Sequence, residues 1–153
     1  MLDDTLKKYV NESILCWVAT CDNNQPAVSP KQFFTYYDDK TIIVAHINSP
    51  STAANIEKNP NVCISFVDVF AQRGFKCLGH ATIVSQDCPT YNKKVKMLEE
   101  VTNEGLEILE VISIELTETH PIIAPDYTLG NVREEMVQKA LKYYGITESD
   151  LKN

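Results

Sequence analysis

A strand-to-helix junction holds the first residues that could do chemistry. Ser49, Ser51 and Thr52 surround Pro50, directly after an apolar, β-branched run from Ile42 to Ile47. The chain then reads as a short helix closed by Asn59-Pro60. The first turn of a helix has N–H groups without partners in the helix and a partial positive charge, and hydroxyls beside it add donors. Such a junction can bind an anion. The same residues also suit a plainer role, in which Ser49 or Ser51 caps the helix and Pro50 occupies its first turn.

Other chemistries find less support. His46, His80 and His120 are too dispersed to suggest a metal site. Five cysteines, Cys16, Cys21, Cys63, Cys77 and Cys88, form no C-x-x-C pair, and three of them sit in apolar runs where a thiol behaves as a small hydrophobe. Free thiols in an intracellular, cytoplasmic protein are expected rather than a disulfide framework. No Ser-His-Asp arrangement has supporting context, and the absence of G-x-G-x-x-G excludes a Rossmann-type nicotinamide site. The 153 residues suit one domain, and 44% hydrophobic residues suffice for a core. A net charge of −7 argues against nucleic-acid partners and a polybasic membrane surface role. Any phosphate must be held by a few local donors. No apolar run approaches the roughly 20 residues of a membrane span, and no signal peptide is expected.

Six strands position the junction. The apolar run 14–21 reads as a buried strand, followed by turn residues Asp22 to Pro26. A strand over 27–37 is interrupted by Pro30, which implies an edge, a bulge or a special backbone approach. It should form an antiparallel hairpin with strand 41–47 across Asp38-Asp39-Lys40. Strands at 62–69, at 75–84 (interrupted by Gly79, a bulge or a close approach) and at 107–116 complete the set. Helices are expected at 3–12, about 51–58, 89–104 and 131–144, the last stopped by Gly145. The pattern predicts a mainly β chain with peripheral helices, a six-stranded antiparallel barrel. The whole chain, 1–153, reads as one domain with a core at about 10–118 and a helical appendage at about 120–153. Ile122-Ile123-Ala124 is apolar without a regular pattern and should need another surface to cover it, a pointer to a dimer.

Residues 27–84 resemble the FMN-binding split-barrel superfamily, the pyridoxamine 5'-phosphate oxidase-like proteins. The resemblance rests on Pro26-x-x-Ser29-Pro30-Lys31-x-Phe33, Asp38-Asp39-Lys40-Thr41-Ile42, Ser51-Thr52-Ala53-Ala54-Asn55-Ile56-x-x-Asn59-Pro60-x-Val62, Arg73-Gly74-Phe75 and Gly79-x-Ala81, in that order. It implies a split β-barrel homodimer with FMN in clefts between the subunits. Carried over by position, Ser51 and Thr52 meet the phosphate, with Asn55 one turn into the helix. Ser29, Pro30, Lys31 and Gln32 line the ring and ribityl chain, Ala45, His46 and Ile47 lie on the facing strand, and Arg73 borders the cofactor.

A phosphate with about 1.5 to 2 negative charges wants several donors and a nearby cation. Lys31 or Arg73 could supply that cation, or each could be a solvated residue. His46 is either a ligand contact, with a proton-transfer role open to it, or a satisfied cleft histidine. Two departures stand out. The basic phosphate pair of authentic pyridoxamine 5'-phosphate oxidases is Ser51-Thr52 here, and their Arg-Leu-His-Asp-Arg-like C-terminal run is replaced by Pro121-Ile122-Ile123-Ala124-Pro125-Asp126-Tyr127-Thr128-Leu129-Gly130. Vitamin B6 oxidation is therefore not expected. The resemblance implies an FMN-dependent oxidoreductase, flavin reductase or nitroreductase-like, acting on a small molecule, with any NAD(P)H docking in the open cleft. Its alternatives are a non-enzymatic FMN carrier or electron-transfer module, and a haem- or deazaflavin-binding member of the same superfamily.

Overall fold

Among the described residues seven strands build one curled antiparallel sheet with two unlike halves. A computed structural model of the chain describes residues 2–102, 105 and 107–150. The sheet order is β2-β1-β5-β6-β7-β4-β3. The strands are β1 (Cys16–Asp22), β2 (Gln25–Lys31), β3 (Phe34–Tyr36), β4 (Thr41–His46), β5 (Asn61–Asp68), β6 (Arg73–Val84) and β7 (Glu110–Ile123). The architecture is the half-barrel of a split barrel, mainly β with four α-helices.

The sequence suggested six strands because 27–37 read as one. The structure divides it. β2 pairs with β1, with Pro30 opposite Trp17, whereas β3 pairs with β4, with Thr35 opposite Ile43. Residues 32–33 carry the chain from one edge of the sheet to the other. Pro30 has no N–H to give a second neighbour, which suits an edge strand. The β1–β2 turn places Asn23 (φ 47°) and Asn24 (φ 61°) in the left-handed region, the chemistry of a two-residue hairpin.

The last strand also departs from expectation. Residues 107–109 lie outside it, and it runs on to Ile123, so that Ile122 and Ile123 pair with Gly74 and Arg73. The apolar segment after Pro121 is therefore a ladder extension. β7 follows β6 this far because the register shifts between Leu78 and Gly79. A Cβ built on Gly79 would stand 2.4 Å from the Glu115 carbonyl oxygen, so the close approach requires glycine.

The inner face of the sheet forms one core, including Cys16, Val18, Ile42, Val44, Ile64, Phe66, Cys77, Ile112 and Ile114. α1 (Asp4–Glu12) joins it through Leu6 and Val10, and its N-terminus is capped by Asp3, which accepts from Leu6 N–H at 2.8 Å. A second core lies on the outer face of β4 and β7, where α3 (Tyr91–Thr102) packs Tyr91 and Leu98 against Ile43, Ala45 and Val111. Residues 103 and 104 of the helix expected at 89–104 lie outside the described residues. α2 (Pro50–Lys58) packs on β1, β2 and β6.

The C-terminal segment is fastened to the β5–β6 turn. Tyr127 donates its hydroxyl hydrogen to Ala71 O at 2.7 Å, and Arg133 pairs with Asp68 at 3.0 Å. α4 (Arg133–Tyr144) ends at Gly145 (φ 68°), the expected stop. Among the described residues no helix is long and apolar enough to cross a membrane.

The Gly79 approach yields a stability prediction. Gly79→Ala must push apart the β6 and β7 backbones, and urea denaturation should show a loss of about 1–3 kcal/mol. Unchanged stability would contradict the close approach.

Candidate anion site at the start of α2

The site is made where β2, β4 and α2 meet. β4 ends at His46, three residues carry the chain to Pro50, and Pro50 begins α2 with its φ preset and no N–H to satisfy. Thr52 and Ile56, one turn apart, face inward and are 3% exposed each. Three contacts tie the helix to β1: Asn55 Nδ2 donates to Thr20 Oγ1 at 2.9 Å, Lys58 pairs with Asp22 at 2.6 Å, and Asn59 Nδ2 donates to Cys21 O at 3.2 Å. The direction of the helix, and so of its N–H-bearing end, is fixed.

Ser49 holds the N-cap position but does not act as a cap. Its φ of −146° and ψ of 64° depart from the extended backbone usual at a cap, and no side-chain capping bond forms. Lys31 Nζ donates to Ser49 Oγ instead. An ammonium can only donate, so Ser49 Oγ accepts, and its own hydrogen is available for an acceptor. The Thr52 hydroxyl, although its residue is buried, makes no hydrogen bond among the described residues, and Ser51 is exposed beside it. The start of α2 therefore presents unengaged donors.

Lys31 is the unusual member. It is 7% exposed, and no carboxylate among the described residues stands within ion-pair reach of it. Burial lowers the pKa of its ammonium. Burial also pushes the Cys16 thiol far up, so it stays neutral and supplies no counter-charge. Desolvation disfavours an ammonium so placed, and the Ser49 hydroxyl carries no charge to offset it. An anion at the α2 N-terminus would supply the missing partner.

His46 stands behind Ser49. Its Nε2 is 3.1 Å from Ser49 O and its Nδ1 is 3.0 Å from Glu110 Oε2. Glu110, which opens β7 opposite His46, went unnoticed in the sequence because the contact spans 64 positions and no local pattern marks it.

The remaining expected residues are distributed. Ser29 is half-buried on β2 and Pro30 is exposed on the same strand. Gln32 lines a separate concavity of about 500 Å³ with Ser13, Phe34 and Glu100. Ala45 belongs to the second core under α3, and Ile47 is 41% exposed on the rim of a groove with Ser85 and Asp87. Asn55 is committed to Thr20. Arg73 packs its guanidinium on the Tyr127 ring, 5.0 Å from the centroid, and has no contact with Lys31 or Ser49. The structure thus brings together Lys31, His46, Ser49, Ser51 and Thr52, and sets Gln32, Ala45 and Arg73 apart from them.

Comparisons with known proteins agree with this architecture. A Group A Streptococcus HupZ structure is 28% identical, with a TM-score of 0.68 over 78% of this chain and 92% of that one. An FMN-binding protein from Syntrophomonas wolfei is 15% identical, with a TM-score of 0.64 over 80% and 90% of the two chains. An F420 reductase is 20% identical, with a TM-score of 0.61 over 77% and 98%. At these identities the last two likenesses show the fold alone. No curated protein matches the chain. The family model described as pyridoxamine 5'-phosphate oxidase matches residues 2–119. The chain belongs to the pyridoxamine 5'-phosphate oxidase family.

Proposed function

We propose that the chain binds FMN, with the phosphate at the start of α2, and works as a homodimeric oxidoreductase on a small molecule. The observation that carries this reading is the buried Lys31 ammonium, without a counter-ion among the described residues, beside a helix start whose N-cap hydroxyl does not cap. Lys31, Ser49, Ser51 and Thr52 fit a phosphate: one cation, three hydroxyls and the Ser51 N–H at the positive end of a helix, Thr52 and Ala53 giving theirs to Ser49 O. Ser29 and Pro30 on the β2 edge lie on the same strand as Lys31 and would border the rest of the cofactor. FMN, when bound, supplies hydride and electron transfer, while the protein contributes binding and orientation.

The dimer reading is supported by the outer face of the sheet. α3 covers that face at β4 and β7, but Trp17 on β1 and Val28 on β2 remain 44% and 64% exposed. Ala19, Cys63 and Leu78 continue the same face in register across β1, β5 and β6. An apolar sheet face of this kind suits a second copy.

Four measurements test the reading. Lys31→Met removes both the cation and its desolvation cost, so the unliganded Tm should hold or rise while FMN affinity falls about 10- to 100-fold. Unchanged affinity would remove Lys31 from the site. Ser51→Asp places a like charge at the phosphate, and fluorescence titration should show FMN binding weakened at least about tenfold. Light scattering should give the mass of two 17.3 kDa chains, and Trp17→Lys should shift it toward one. A wild-type monomer that still binds FMN would contradict the cleft between subunits. Anaerobic mixing of the FMN-loaded protein with NADH or NADPH addresses turnover, because a carrier stays oxidised at a useful timescale and a reductase bleaches.

A further inference from the structure

We propose that His46 and Glu110 form a proton-held latch that positions the anion site, so that binding of a phosphate-bearing ligand at the start of α2 is linked to pH. The proposal rests on the reading of that site as a phosphate site. Its basis is the proton count of the two hydrogen bonds made by the His46 ring. Nε2 stands 3.1 Å from the Ser49 carbonyl oxygen, which can only accept, so Nε2 carries a hydrogen. Nδ1 stands 3.0 Å from Glu110 Oε2. A carboxylate also only accepts, so either Nδ1 carries a second hydrogen or the Glu110 carboxyl carries it and donates. Both states hold one proton more than a neutral ring beside a carboxylate.

Without that proton each tautomer turns one contact repulsive. With the hydrogen on Nε2, the Nδ1 lone pair faces the Glu110 carboxylate; with the hydrogen on Nδ1, the Nε2 lone pair faces the Ser49 carbonyl. The ring and the carboxyl side chains are 13% and 37% exposed, so the pair exchanges protons with solvent.

Ser49 transmits the change. Its carbonyl also accepts from Thr52 N at 3.0 Å and Ala53 N at 3.3 Å, and its hydroxyl holds Lys31. Loosening the ring therefore loosens the residue that carries both the helix start and the partner of the buried cation. The charged and titratable groups around His46 are Glu110 on β7, Asp87 on the 85–87 turn that shares its groove, and Lys31 on β2, reached through Ser49. His46 and Glu110 act here as positioning residues, through Ser49.

Glu110→Gln is the informative variant. Its amide can donate to Nδ1 of a neutral ring while Nε2–H still bonds Ser49 O, so the latch closes without the extra proton. Amide exchange at Thr52 and Ala53, whose N–H groups bond Ser49 O, corrected for intrinsic base catalysis, reads the latch in the unliganded protein with no cofactor present. Wild-type protection should fall about five- to tenfold from pH 5.5 to 8.5, as expected for loss of a charge-assisted hydrogen bond, and Glu110→Gln should stay level. Nitrogen NMR of the His46 ring should show both nitrogens protonated at the acid end in wild type, and the Nε2–H tautomer alone at the alkaline end in Glu110→Gln. Parallel exchange profiles in the two proteins would overturn the proposal.

FMN affinity supplies the second arm. The ratio of wild-type to Glu110→Gln affinity cancels the phosphate's own ionisation near pH 6. It should fall about tenfold over the same range. Identical pH dependence in both proteins would overturn the latch. If FMN binds neither protein at any pH while exchange follows the expected course, the latch stands and the FMN reading falls.

Discussion

A buried ammonium that, among the described residues, has only a hydroxyl to hold it is the constraint around which the site is arranged. Lys31 ends β2, Ser49 precedes α2, and His46 ends β4, and all three meet at Ser49. β2 and β4 are separated by four strands in the sheet, so the sheet must curl to bring their ends to one residue. α1 and α2 fill the concave side of that curl, and Asn55, Lys58 and Asn59 lock α2 against β1. The desolvation cost of Lys31 is sustained by this packing. An anion at the start of α2 would return part of that cost.

The global charge makes the local arrangement necessary. At −7 the chain repels anions at a distance, though salt screens this beyond roughly 8–10 Å. Binding energy for a phosphate must then come from short contacts: one cation with little solvent around it, hydroxyls without other partners and a helix terminus of fixed direction. In this chain two hydroxyl residues at the helix start stand where the resemblance places a basic pair, and Lys31 and His46 approach from the strands on either side.

Much of the fold was legible because it is local. The β-branched run before Ser49, the Pro50 start, the Asn59-Pro60 stop and the Gly145 cap are each set by side chains within a few residues. Asn23 and Asn24 were readable as a turn for the same reason. The division of 27–37 into β2 and β3 was less legible, because Pro30 signals an edge without saying that the chain then crosses to the opposite edge. Ile122 and Ile123 read as unpatterned because, beyond the bulge at Gly79, β7 leaves the alternation it had kept. At the site, the helix start was visible and its chemistry was half visible. Nothing local shows that Ser49 declines to cap, that Lys31 points inward, or that Glu110 meets His46 across 64 positions. Those facts belong to the register of the sheet.

Whether the α2 start recognises a phosphate, with Lys31 as its buried counter-charge, is tested by titrating the protein with FMN and, separately, with riboflavin, since the two share the ring and ribityl chain and differ only in the phosphate. FMN should bind at least about a hundredfold more tightly, the worth of two charge-assisted contacts. Equal affinities for FMN and riboflavin would contradict it.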